Sequence, residues 1–171
     1  MAFEMKRSVF ANTRTGVRLQ TLVMLRWLAV AGQMAAVLIV NFGLEFTLPL
    51  GPCLAAIAAS AWLNVFLSIR YRATVRLSQP QAAIYLAYDL LQLSTLLYFT
   101  GGLGNPFALL LLVPVTISAT TLTPRLTILL LSLSLACVAA LGFFSVPLPW
   151  REGETLHLPT IYQMGIGTAL F

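Results

Sequence analysis

Long apolar runs, separated by short polar or glycine- and proline-containing stretches, make up most of this chain. A bilayer's hydrocarbon core is about 30 Å thick, so a helix rising 1.5 Å per residue needs about 20 apolar residues to cross it. Five runs meet or approach that length: Thr21–Phe42, Leu50–Ile69, Gln81–Thr100, Pro106–Leu122 and Arg125–Ser145. The fourth is the shorter one and contains Pro114. A polar stretch from Pro147 to His157 follows the fifth, and a sixth run opens at Pro159 and continues to Phe171. With 13 residues that run is too short to span, and neither a basic cluster nor a Gly/Pro turn precedes Phe171. The pattern predicts an all-α polytopic bundle of six spans with the sixth cut short, preceded by a basic arm over residues 1–20. The first run is longer than the 7–15 residues of a signal-peptide core and lacks a small-x-small cleavage site, so it reads as a retained helix.

Composition agrees. Of 171 residues, 59% are hydrophobic and 9% charged, and mean hydropathy is +0.90. A soluble domain carries about 25% charged residues. Fifteen charges, ten basic and five acidic, cannot wet a globule of this size, which excludes an ordinary soluble enzyme, a disordered chain and a secreted disulfide scaffold. The net charge of +5 therefore asks on which side of a membrane the cations lie. With the N-terminus cytoplasmic, the inside holds Lys6, Arg7, Arg14, Arg18, Arg26, Arg70, Arg72, Arg76 and Arg125, and the outside only Arg151. Positive-inside bias sets orientation, so the N-terminus is placed inside and the loops Gly43–Pro49, Gly101–Asn105 and Val146–Leu158 outside. Arg26 lies near the start of the first run, where its side chain is expected to snorkel to the interface. Small-xxx-small spacings, Gly32/Ala36, Ala55/Ala59, Ala56/Ser60 and Ser132/Ala136/Ala140, are expected at close helix contacts.

The catalytic inventory is bare. His157 is the single histidine, Cys53 and Cys137 sit in different spans without CxxC spacing, and no hydrolase, zinc or phosphate-loop motif is present. Neither a metal site nor a catalytic residue is expected. The third span is the polar one. Gln81, Tyr85, Tyr88, Gln92, Thr95 and Phe99 recur on one helical stripe, flanked by Asp89 near mid-membrane. Two readings stay open for Asp89 and Gln92: an interhelical hydrogen-bond seam, or the wall of a cofactor pocket or proton path.

The most specific segment is the uncharged outer loop Gly101-Gly102-Leu103-Gly104-Asn105-Pro106-Phe107. As plain structure, its glycines permit a sharp reversal, Asn105 caps the next helix and Pro106 suits that helix's first position. As a site, the same glycines let a flat ligand approach the backbone, free amides at a helix start can donate to a carbonyl, and Phe107 offers a stacking ring.

Written GGxxNPF, this loop resembles the heptapeptide of the RegB/PrrB/ActS family of redox-sensing histidine kinases. The run Leu25-Arg26-Trp27-Leu28-Ala29-Val30-Ala31-Gly32-Gln33 resembles that family's first membrane helix. Six spans with the heptapeptide outside, between the third and fourth, match the family's layout. The resemblance covers essentially the whole chain as the family's membrane input domain. It implies a sensor of the ubiquinone pool in the bacterial inner membrane, working as a homodimer and signalling to a cytoplasmic response regulator. It implies quinone binding by Gly101, Gly102, Asn105, Pro106 and Phe107, with Asp89 and Gln92 as further candidates. The phospho-accepting histidine, the ATP-binding domain and the redox-active cysteine of such kinases do not lie in these residues, so this chain alone is expected to lack kinase activity, and ATP belongs to the absent kinase core. The alternative from another class is a small carrier or channel with Asp89 on its pathway.

Overall fold

The computed structural model describes residues 19–71, 77–144, 146, 148–149 and 155–156. Five helical segments account for nearly all of them: α1 (Leu19–Leu38), α2 (Leu50–Arg70), α3 (Gln79–Phe99), α4 (Leu112–Thr121) and α5 (Pro124–Phe144). A two-residue antiparallel pair follows, β1 (Leu148–Pro149) with β2 (Thr155–Leu156), which pairs Leu148 with Leu156. The polar stretch read as an outer loop thus contains a small hairpin. The sixth apolar run, the N-terminal arm up to Arg18, His157 and Arg151 lie outside the described residues.

Four helices are long and apolar enough to cross a membrane: Gln20–Gly43, Leu50–Arg70, Gln79–Phe99 and Pro124–Phe144. The first gains its length from a π-helical turn, Ile39–Gly43, that continues α1 and is closed by the Leu44 N–H donating to Ile39 O at 2.9 Å. The fourth apolar run solves its shortness differently. Pro106–Leu111 winds as a 3₁₀ helix before α4 begins. A 3₁₀ residue rises about 2.0 Å against 1.5 Å in an α-helix, so the sixteen residues reach about 27 Å, nearly a full span. Pro114 is buried within the first turn of α4, where the missing N–H and the ring cost least.

The ends that the charge pattern puts on one side lie together. Leu22 of α1, Leu77 before α3, Ala82 and Leu86 of α3 and Leu130 of α5 form one apolar cluster, with Tyr71 packed on it. Gln79 Oε1 accepts from Thr123 N–H at 3.1 Å, joining the start of α3 to the α4–α5 turn. At the opposite end, Leu103 of the glycine-rich loop packs with Leu97, Leu111 and Leu141, and Val146 N–H donates to Tyr98 O. Helix α3 is the central one. Eight of its residues are buried, Gln92 among them, against neighbours α2, α4 and α5. That position suits the least apolar span: Gln92 is buried and Asp89 is paired with Arg26, while Thr95 and Tyr98 stay exposed. Gly101 and Gly102 take positive φ, 100° and 58°, the reversal that only glycine makes without strain.

The small-xxx-small spacings do not mark the internal contacts. Ala55, Ala59, Ser132, Ala136 and Ala140 are exposed, and Ser60 alone among these is buried. A Cβ built on Gly32 meets nothing within 4 Å, because that face borders a cavity. The buried core is mostly leucine, with Val30, Val37, Cys53, Ile57, Cys137 and Val138 among the rest.

Candidate functional site

Arg26 overturns the expectation of snorkelling. It is 4% exposed, and its Nε lies 2.9 Å from Oδ1 of Asp89. The tally of inner cations therefore falls by one, without altering its sign. The physical reason is that a mid-membrane carboxylate and a guanidinium on adjacent helices each lower the other's cost of leaving water. The Arg26 Cζ also lies 5.2 Å from the Tyr88 ring centroid, within cation–π range. Asp89 and Tyr88 thus both engage one side chain of α1, and the partner of Asp89 is an arginine. The pair is close but its N–H is not aligned on the oxygen, and Arg26 Nε, Nη1 and Nη2 make no hydrogen bond among the described residues.

Gln92 is committed elsewhere. It exchanges two amide hydrogen bonds with Gln33 of α1, at 3.0 and 3.4 Å, the seam that was one of its two readings. The predicted stripe on α3 does not act as a unit: Thr95 is exposed and bonds back to Leu91 O, and Gln81 closes a capping box with Ser78.

The loop is built largely by Asn105. Its Oδ1 accepts from Phe107 N–H at 2.9 Å, and its Nδ2 donates to Thr100 O at 3.0 Å and Thr100 Oγ1 at 2.9 Å. The side chain caps the 3₁₀ start and ties it to the end of α3, which leaves its amide little capacity for a ligand. Phe107, 45% exposed, is the aromatic residue of the heptapeptide and, with the exposed Pro106, supplies its free apolar surface.

One cavity of about 780 Å³ joins these features. Its walls come from α1 (Arg26, Gly32, Gln33, Val37), α3 (Asp89, Gln92, Leu93, Leu97), the loop (Gly101, Gly104, Asn105, Pro106, Phe107) and α4 (Leu110, Pro114). The volume lies within the roughly 300–1,000 Å³ usual for small-molecule sites. Its lining is mostly apolar, and among the lining residues only Arg26 and Asp89 carry charge. Of the heptapeptide candidates only Gly102 is not on the wall; it is buried in the turn beneath. Sequence reasoning missed Arg26 and Gln33. The signal for Arg26 was available: it and Asp89 are opposite charges, each inside an apolar run. Among the described residues no group of three or more His, Cys, Asp and Glu converges on a possible metal position.

The family described as the PilS-like transmembrane domain matches residues 11–171. The chain belongs to that family. It is 42% identical over 153 residues to a sensor histidine kinase RegB of Cereibacter sphaeroides, covering 90% of this chain and 33% of that protein. A second RegB of that species is 45% identical over 78 residues, 46% of this chain and 17% of the relative. The chain thus spans about one third of the length of the first of these relatives. No solved structure matches. This is a multi-pass membrane domain of the RegB-like kind, from the bacterial inner membrane.

Proposed function

We propose that this domain is the input module of a quinone-responsive sensor kinase, with the groove between α1, α3 and α4 as the quinone site and the GGxxNPF loop as its outer mouth. The observation that carries the reading is the cavity: one continuous apolar space reaches from the heptapeptide, at Phe107 and Pro106, to a buried charged pair on α1 and α3. The likeness to RegB sensor kinases supports it. An apolar wall suits an isoprenoid-type tail, and a few convergent polar groups suit the carbonyls of a ring. Asn105 acts by holding the loop, Gly101 and Gly102 by allowing its turn, and Phe107 by meeting the ligand.

Signalling follows from differential affinity. A quinone that binds one arrangement of α1 against α4 better than another shifts the population between them, and a homodimer passes that shift to a cytoplasmic kinase and its response regulator. The test is ubiquinone titration of the reconstituted domain. Phe107→Ala and Asn105→Ala are both expected to bind more weakly than wild type. Equal affinity in all three removes the loop from the site.

A further inference from the structure

We propose that Arg26 is the polar anchor of the cavity: its Nη groups donate to an oxygen of an uncharged, carbonyl-bearing ring whose apolar tail lies along the groove. The inference rests on the quinone reading above and states where in the groove the ring sits.

Arginine offers five N–H donors in a planar fork. Asp89 takes the Nε side at 2.9 Å. Both Nη atoms are fully buried and make no hydrogen bond among the described residues; Arg26 borders the cavity, so its guanidinium meets a ligand there by turning its outer end toward the open space. Donors on a buried ion are costly when unmade, so a ligand acceptor placed there gains more than it would against any satisfied group on the wall. The amide side chains on that wall are satisfied: Gln92 and Gln33 bond each other, and Asn105 bonds its own loop.

Charge selects the class of acceptor. Arg26 and Asp89 cancel, and no other lining residue is charged. A carboxylate or phosphate would leave a net negative charge in a low-dielectric space, whereas a neutral carbonyl would not. Distance separates this anchor from the loop. Asp89 and Thr100 are eleven residues apart on α3, about 16 Å along the axis, farther than one ring can bridge. A ring at Arg26 places its tail against Leu93, Leu97 and Val37, pointing to Phe107 at the mouth.

The test uses the full chain in lipid nanodiscs with decylubiquinone, ¹³C-labelled at its carbonyls, and laurate as the anionic comparison. Binding and the infrared carbonyl band are measured for wild type, for Arg26→Leu with Asp89→Leu, and for Phe107→Ala. The double variant removes both charges together, so no lone buried ion is left. Wild type is expected to bind decylubiquinone in preference to laurate and to lower the carbonyl frequency. The double variant is expected to bind at least about ten-fold more weakly and to lose the shift. An unshifted band in wild type overturns the anchor whatever the variants do. Undiminished affinity with the shift intact in the double variant also overturns it. If only Phe107→Ala loses binding, the quinone site stands and the anchor falls. If wild type binds laurate and no decylubiquinone, both the uncharged head and the quinone reading fall.

Discussion

Arg26 Nε and Asp89 Oδ1 lie 2.9 Å apart in the interior of the bundle, joining the first membrane helix to the third. Breaking such a pair leaves one uncompensated charge, whereas replacing both partners with apolar residues does not. Arg26→Leu and Asp89→Leu are each expected to destabilise the domain by about 3–5 kcal/mol. The double substitution is expected to recover most of that loss. Unfolding of the reconstituted protein followed by circular dichroism checks this, and equal costs for the single and double variants would refute an internal pair.

The Gln33–Gln92 exchange is the other polar link between α1 and α3, with bonds of 3.0 and 3.4 Å. Hydrogen bonds between membrane helices average about 0.6 kcal/mol in double-mutant cycles. A cycle of Gln33→Ala and Gln92→Ala is expected to give a coupling near that size. A coupling indistinguishable from zero would show that these amides are satisfied separately.

Much of this architecture is legible in the amino-acid pattern because lipid leaves few choices. The runs beginning at Leu50 and Gln81 meet helices that begin at Leu50 and Gln79. The 3₁₀ entry to α4 was not legible: apolar length says how many residues must cross, not how steeply they rise. Arg26 was misplaced because proximity to the end of a run favours snorkelling, while a carboxylate on another helix favours burial. That competition is decided by which side chains of α1 and α3 meet, which a single run does not encode. Its place before Pro106 marks Asn105 as a cap, and its bond to Phe107 N–H is that cap. Its two bonds to Thr100 depend on the glycine turn and could not be read from spacing.

Those bonds divide the heptapeptide into framework and surface. Asn105→Ala removes three hydrogen bonds, including a cap of the kind worth about 0.5–2 kcal/mol, and is expected to lower stability as well as binding. Phe107→Ala removes half-exposed apolar surface at the mouth and is expected to lower binding with little loss of stability. Thermal unfolding alongside titration separates the two, and matching stability losses in both variants would contradict this division.

Gly101 has φ of 100°, a region where a side chain costs roughly 1–3 kcal/mol. Gly101→Ala is expected to destabilise the loop by about that amount. Gly32 is its opposite, a mid-helix glycine bordering the cavity with nothing within 4 Å of an added Cβ. Gly32→Ala is expected to stabilise α1 by roughly 0.5–1 kcal/mol, the usual gain over glycine inside a helix. Gly32→Phe projects a ring into the space between Arg26 and the loop, so it is expected to exclude quinone while the helices stay folded. A Gly32→Phe variant that keeps full helicity and full quinone affinity would place the ligand outside this groove, because a ring there and a quinone cannot occupy the same volume.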